Sequence, residues 1–196
     1  MNYRRIHLFT MVLSLSAAVI VMPGPEIKPV PATFSKIAAT EEELISWDAD
    51  RKLTWDDYRG EPDPSTDAAA STTTRLTVSY QFKKDGYRFT IRSGFDPYRS
   101  WGTHRTAYIL SHEQGHFDLA EVYARKLFRK LSEYRFDANN YRKDLKKIYD
   151  DVIKEKEAIQ NEYDEETRHS ILKAKQAEWL KKIAAMLEET NEYASY

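Results

Sequence analysis

The sequence predicts an α+β fold, with a small antiparallel sheet packed on one long helix and two further helices after it. Between about residues 72 and 95, apolar side chains alternate with polar ones on both sides of a short turn. From about residue 103 onward, apolar side chains recur every three or four positions instead. The change from a period of 2 to a period near 3.6 marks the change from strands to helices. A chain of 196 residues has the length of a single domain.

The alternating segment predicts a β-hairpin. Its first strand places apolar side chains at every second position from Leu76 to Phe82, and its second strand does so from Tyr87 to Ile91. The four residues 83–86 between them end in Gly86, which we expect to supply the turn. Upstream of the hairpin, a further short strand is expected near residues 52–55.

Three helices follow the hairpin in the predicted order. The first begins near residue 103 and ends before the turn-forming stretch Asp-Ala-Asn-Asn at residues 137–140. The second is expected over about residues 141–162 and the third over about residues 164–189. Basic and acidic side chains are interleaved along the last two helices, which is typical of solvated helix faces.

Composition excludes several classes of function. The chain has 30 Lys and Arg against 31 Asp and Glu, so it lacks the basic excess of a nucleic-acid-binding protein. It has no cysteine, which rules out disulfides, thiolate nucleophiles and cysteine-based metal sites. Any metal must therefore be held by carboxylates or by the five histidines, which are His7, His104, His112, His116 and His169.

The first 22 residues predict export from the cytoplasm. Two arginines precede an uncharged run over residues 8–22, which is shorter than the roughly 20 residues of a membrane span and typical of a signal peptide. An uncleaved N-terminal anchor is the alternative, and it would be the chain's only contact with a membrane. Residues 23–40 are rich in proline and predict a spacer, so the expected domain is 41–196, secreted or periplasmic.

Residues 112–116 read His-Glu-Gln-Gly-His, an HExxH motif within the first predicted helix. Histidines four positions apart project from the same helix face, so His112 and His116 can bind one zinc ion. Three protein ligands leave the fourth zinc position open to a water, whose pKa falls to about 7. Glu113 is offset by about 100° from the two histidines and is the predicted general base for attack on an amide carbonyl.

Helix geometry narrows the choice of a third zinc ligand. Glu121 lies about 140° around the helix from His116, and Asp118 about 160°, so neither is a good ligand. Both carboxylates remain candidates for hydrogen bonds to the second ring nitrogen of a ligating histidine, and surface positions are equally expected for them.

His169 is the predicted third ligand. We expect it at the opening of the third helix, which must pack against the first for either helix to bury its apolar side chains. Asp164 and His104 are the alternatives, the latter only from a loop. Tyr163 is expected in the core, with a hydroxyl near the developing oxyanion as the less favoured role.

These residues resemble a known family. Leu110 to Glu121 (LSHEQGHFDLAE), Tyr163 to His169 and Gln176-x-x-Trp179 are similar to the bacterial domain-of-unknown-function family 922, described as predicted secreted zinc-dependent proteases. Residues 53–62 fit the opening signature of that family, and the similarity extends over about residues 47–187.

The resemblance implies that His112 and His116 are zinc ligands and that Glu113 is the base. His169 stands where the family has a histidine usually followed by glycine, although Ser170 follows it here.

The sequence thus predicts a secreted or periplasmic zinc metallopeptidase with one Zn²⁺ and a peptide or protein substrate. No nucleic-acid partner is expected. The alternative is a non-catalytic metal-binding or interaction protein of the cell envelope, which would keep the metal ligands without turnover.

Overall fold

The computed structural model describes residue 40, residues 43–84 and residues 86–196. The predicted signal or anchor at residues 1–22 lies outside the described residues, as does the predicted spacer apart from residue 40. All described residues fall within one compact unit. Among their helices, none combines the length and apolarity needed to cross a membrane.

The long hairpin is the main part of the sheet and confirms the predicted one. Strand β3 (Thr74–Lys83) pairs with strand β4 (Gly86–Phe95) over ten antiparallel residue pairs, and β4 also pairs with the short β1 (Ile45–Ser46). A separate two-stranded sheet joins β2 (Ala70–Ser71) to β5 (Trp101–Gly102). The described strands therefore form two small antiparallel sheets.

Two local expectations around the sheet were wrong. The segment expected as a strand near residues 52–55 runs without regular structure into a single 3-10 turn, Trp55–Asp57. The Asp57 carboxylate accepts the backbone N–H of Thr54 at 2.8 Å, and this cap favours a helical turn over a strand. Gly86 does not supply the hairpin turn either, because it is the first residue of β4 and pairs with Lys83.

Three helices complete the fold, and together with the sheets they confirm the predicted α+β class. Helix α1 spans Ala107–Glu133, α2 spans Tyr141–Thr167 and α3 spans Lys173–Glu189. The N-terminus of α1 is capped by Thr106, whose hydroxyl accepts the backbone N–H of Ile109.

The boundary between α2 and α3 differs from the predicted one. Helix α2 contains no glycine or proline and continues to Thr167, so Asp164 lies in its last turn and not in the third helix. The chain then reverses through Arg168, His169 and Ser170, which all have left-handed backbone conformations with φ of 49°, 49° and 70°. His169 therefore lies in this reversal and does not open α3.

Helix α1 is the centre of the fold, since it contacts the hairpin and both other helices. Side chains all around its middle turns are consequently buried, polar ones included. Glu121, predicted as a surface or hydrogen-bonding carboxylate, is buried and accepts hydrogen bonds from Arg125 at 2.7 Å and from Tyr196 at 2.6 Å. The apolar side chains buried between α1, the hairpin and α2 are Leu76, Ile91, Val122, Tyr123, Ala124, Leu127, Leu131, Leu145 and Val152.

Candidate metal centre

The centre lies between the first half of α1 and the last turns of α2. A short connection, residues 134–140, joins these two helices, so they run antiparallel and the end of α2 returns beside the beginning of α1. His112 and His116 face α2 from successive turns of α1, and Asp164 faces them from α2.

One atom from each of these three residues converges on one point. Asp164 Oδ1 lies 3.1 Å from His112 Nε2 and 3.1 Å from His116 Nε2. The two Nε2 atoms are 3.3 Å apart. Within the described part of the chain, this is the group of three metal-binding side chains whose ligand atoms come together.

The size of this triangle fits a zinc ion. Bonds of about 2.0–2.1 Å in tetrahedral geometry place two ligand atoms roughly 3.3–3.4 Å apart. The observed separations of 3.1–3.3 Å need only a small expansion to match. Two imidazoles and one carboxylate are also among the ligand sets that zinc takes in catalytic sites.

The hydrogen bonds of Gln160 indicate which nitrogen of His116 carries the proton. Its side-chain NH₂ donates to the His116 carbonyl oxygen at 2.9 Å, so its side-chain oxygen must face His116 Nδ1. Nδ1 is therefore the protonated nitrogen, and on a neutral ring Nε2 presents a lone pair to the Asp164 carboxylate. Two acceptors 3.1 Å apart require a proton or a cation between them, and a metal ion would satisfy both.

The two partners also shift each other's pKa. Burial alone would lower the pKa of His116, but the hydrogen bond and the negative charge of Asp164 outweigh burial and raise it. Burial would raise the pKa of Asp164, but hydrogen bonds and positive charge from His112 and His116 hold it well below its usual range. Asp164 is thus an ionised carboxylate, the form that binds a metal.

Glu113 is held by a chain of two hydroxyl groups. The buried Glu113 side chain accepts a hydrogen bond from the Thr72 hydroxyl at 2.6 Å. Thr72 has only one hydroxyl hydrogen, so the Tyr58 hydroxyl 2.9 Å away must donate to Thr72. Burial, and then the negative charge of Glu113, raise the pKa of Tyr58, which keeps it protonated as that donor. One carboxylate oxygen of Glu113 is fixed in this way.

Tyr163 supports the histidines from within the core. Its ring stacks on His112 at a centroid distance of 4.5 Å, and its hydroxyl donates to the His112 carbonyl at 3.3 Å. The side chain is fully buried and does not line the cavity, which agrees with the expected core role and not with oxyanion stabilisation. A Cβ on Gly115 would lie 2.7 Å from the Tyr163 hydroxyl and 3.0 Å from its ring, so glycine permits this close packing.

We expect Gly115→Ala to destabilise the fold and to weaken metal binding. Overpacking costs about 1–3 kcal/mol, while alanine recovers about 1 kcal/mol of helix propensity, leaving a net loss of up to about 2 kcal/mol. Urea unfolding measures this loss of stability. A zinc titration measures the loss of zinc affinity that we expect when Tyr163 is displaced from His112. Gly86→Ala is the matched control, because its Cβ meets no described atom within 4 Å. Equal stability of the two variants would contradict this role of Gly115.

The centre opens into a cavity of about 820 Å³. One wall is the extended segment of residues 68–74, which contains β2, and the other is the last part of α2. His112, Glu113, His116 and Asp164 all line this cavity. Among the described strands, β2 pairs along one edge only, with β5.

The other predicted site residues lie in different surroundings. His169 lines the cavity, its side chain is 74% exposed, and its Nδ1 lies 3.4 Å from Asp164 Oδ1. His104 lies in the loop before α1, exposed and beside the Thr103 hydroxyl, and does not line the cavity. The Asp118 carboxylate accepts hydrogen bonds from Trp47 and Gln114, each at 2.7 Å, and so is not a partner of the histidine rings.

Comparison with known families agrees with the sequence resemblance. The model of DUF922, described as a bacterial protein of unknown function, matches residues 45–170. The chain belongs to the DUF922 family. The matched part includes every residue of the candidate centre, from Tyr58 and Thr72 to Asp164 and His169. No curated protein and no solved structure matches this DUF922 chain.

Proposed function

We propose that this DUF922 protein is an exported zinc-dependent metallopeptidase. The convergence of His112 Nε2, His116 Nε2 and Asp164 Oδ1 within 3.1–3.3 Å of one another, beside Glu113 on one cavity, carries the proposal. Export, to the periplasm or the medium, rests on the charged and then apolar pattern of residues 1–22.

In this proposal His112, His116 and Asp164 hold one Zn²⁺. When bound, zinc polarises the amide carbonyl and makes water a stronger acid at its open position. The Glu113 oxygen that Thr72 does not occupy accepts the proton of the attacking water and passes it to the leaving amine. Gln160 keeps the His116 ring oriented through Nδ1.

The number of protein ligands bears directly on turnover. Three ligands leave a zinc position open for chemistry, whereas four close it and are typical of structural sites. His112, His116 and Asp164 make up three without His169, whose side chain is largely exposed. The proposal therefore replaces the sequence-based choice of His169 with Asp164, and addition of His169 to the other three would favour the non-catalytic alternative.

The proposal is tested by removing and restoring the metal. We expect the zinc-loaded protein to hydrolyse fluorescein-labelled casein, the chelated protein to be inactive, and one equivalent of zinc to restore the activity. Magnesium in the same excess serves as the control, because it prefers octahedral oxygen ligands. Stoichiometric zinc without hydrolysis of casein or of a random peptide mixture would contradict the peptidase and favour the non-catalytic alternative.

A further inference from the structure

Two basic residues, Arg99 and Lys156, line the cavity that contains the candidate metal centre. Lys156 comes from α2, two helical turns before Asp164, and its Nζ lies 3.4 Å from the Thr74 hydroxyl. Arg99 lies beside the neighbouring residue, since its carbonyl accepts a hydrogen bond from the Thr73 hydroxyl at 3.2 Å. The Lys156 ammonium and the Arg99 backbone thus lie beside residues 73–74 of the cavity wall.

Among the described residues, no carboxylate lies within ion-pair distance, 4.0 Å, of Arg99 or Lys156. The α2 residues Lys146 and Lys147 differ, since each pairs with an aspartate four positions on. Burial lowers the pKa of Lys156, and the charge of Glu157, the next residue in the cavity lining, opposes this only in part.

The position of Lys156 relative to Glu113 and to Asp164 can be estimated along the two walls of the cavity. Thr72, which binds Glu113, and Thr74, which contacts Lys156, are two residues apart in the chain, or at most about 7 Å. Along α2, Lys156 and Asp164 are eight residues apart, or about 12 Å. An extended peptide covers these distances with two to four residues.

We propose that Arg99 and Lys156 form a subsite for an anionic group of the substrate, two to four residues from the bond that is cleaved. The inference rests on the proposed function and adds a substrate class to it, namely peptides that carry a carboxylate at this spacing. That carboxylate has two sources, an aspartate or glutamate side chain and the C-terminus of a short peptide. Either one forms charge-assisted hydrogen bonds with the two cations.

Binding to the zinc-loaded protein tests the subsite without any need for turnover. Three tripeptide probes of equal length each carry a hydroxamate that anchors on zinc: a neutral peptide amide, the same amide with one glutamate, and the neutral peptide with a free C-terminal carboxylate. We expect at least one anionic probe to bind about 10-fold more tightly than the neutral probe, since hydrogen bonds to charged groups have that strength. The probe that gains affinity identifies the source of the carboxylate.

Two substitutions on α2 test whether the tighter binding of an anionic probe comes from the subsite. Lys156→Met keeps the aliphatic stem and is expected to reduce the anionic preference to below about 3-fold, while binding of the neutral probe stays unchanged. Lys154→Met, on an exposed position of α2 that does not line the cavity, is expected to keep the full preference. Equal binding of all three probes to the wild type would overturn the subsite and leave the zinc centre standing. A wild type that binds neither zinc nor any probe would overturn the proposed function, and the subsite with it.

Discussion

Glu113→Gln is expected to reduce hydrolysis by about 10²- to 10⁴-fold while the protein keeps one zinc per chain. The amide has the shape of the carboxylate but cannot accept the proton of the attacking water. Glu113 is also not one of the three converging ligand groups, so its replacement leaves the metal ligands in place. Initial rates on labelled casein, together with the zinc content of the same sample, measure both parts of this result.

Substitutions of Thr72 are expected to reduce the rate less than Glu113→Gln does, because Thr72 only holds Glu113 in place. Thr72→Val removes the hydroxyl that fixes one Glu113 oxygen, so kcat should fall by a smaller factor, about 10-fold, without loss of zinc. Thr72→Ser keeps a hydroxyl donor and should recover most of the rate. Full activity of Glu113→Gln would show that Glu113 is not the base.

Asp164→Ala is expected to lower zinc affinity by at least about 100-fold. Loss of partners that only orient a ligand already costs about 10- to 100-fold, and Asp164 lies within 3.1 Å of both histidines. Competition with a chromophoric chelator measures the affinity. Glu165, the residue after Asp164, is exposed and is not one of the three converging ligand residues. Glu165→Ala should therefore bind zinc as the wild type does. Equal losses in the two variants would mean that Asp164 acts through helix stability and not as a ligand.

The hairpin and the HExxH helix were predictable because both depend on local patterns. Alternation from Leu76 to Ile91 specifies strand faces, and a spacing of four places His112 and His116 on one helix face. These patterns need no knowledge of which elements pack together. They gave the class of fold, the three helices and three residues of the candidate centre.

The remaining residues of the centre come from distant parts of the chain. Asp164 was an alternative behind His169, which was expected to open a third helix beginning near residue 164, whereas α2 continues three residues beyond Asp164. A signal for it did exist. In two antiparallel helices joined near residue 137, positions equally far from the turn lie side by side, which places His112 opposite residue 162, close to Gln160 and Asp164.

Thr72 and Glu121 show a different limit of sequence reasoning. Thr72 follows β2 by one residue, and only the tertiary fold brings it to Glu113. Glu121 was expected at the surface or beside a ligating histidine because helix patterns assume one buried face, whereas α1 is covered on several sides. Its burial is compatible with its charge because Arg125 and Tyr196 bind it.

The X-ray absorption spectrum of the zinc-loaded protein, compared with that of His169→Ala, tests the ligand set most directly. Scattering from imidazole rings counts the histidines bound to the metal. We predict two imidazoles and two further oxygen ligands in both proteins, from His112, His116, Asp164 and one open position. Three imidazoles in the wild type and two in His169→Ala would contradict it, since His169 would then be a zinc ligand in place of Asp164 or of the open position.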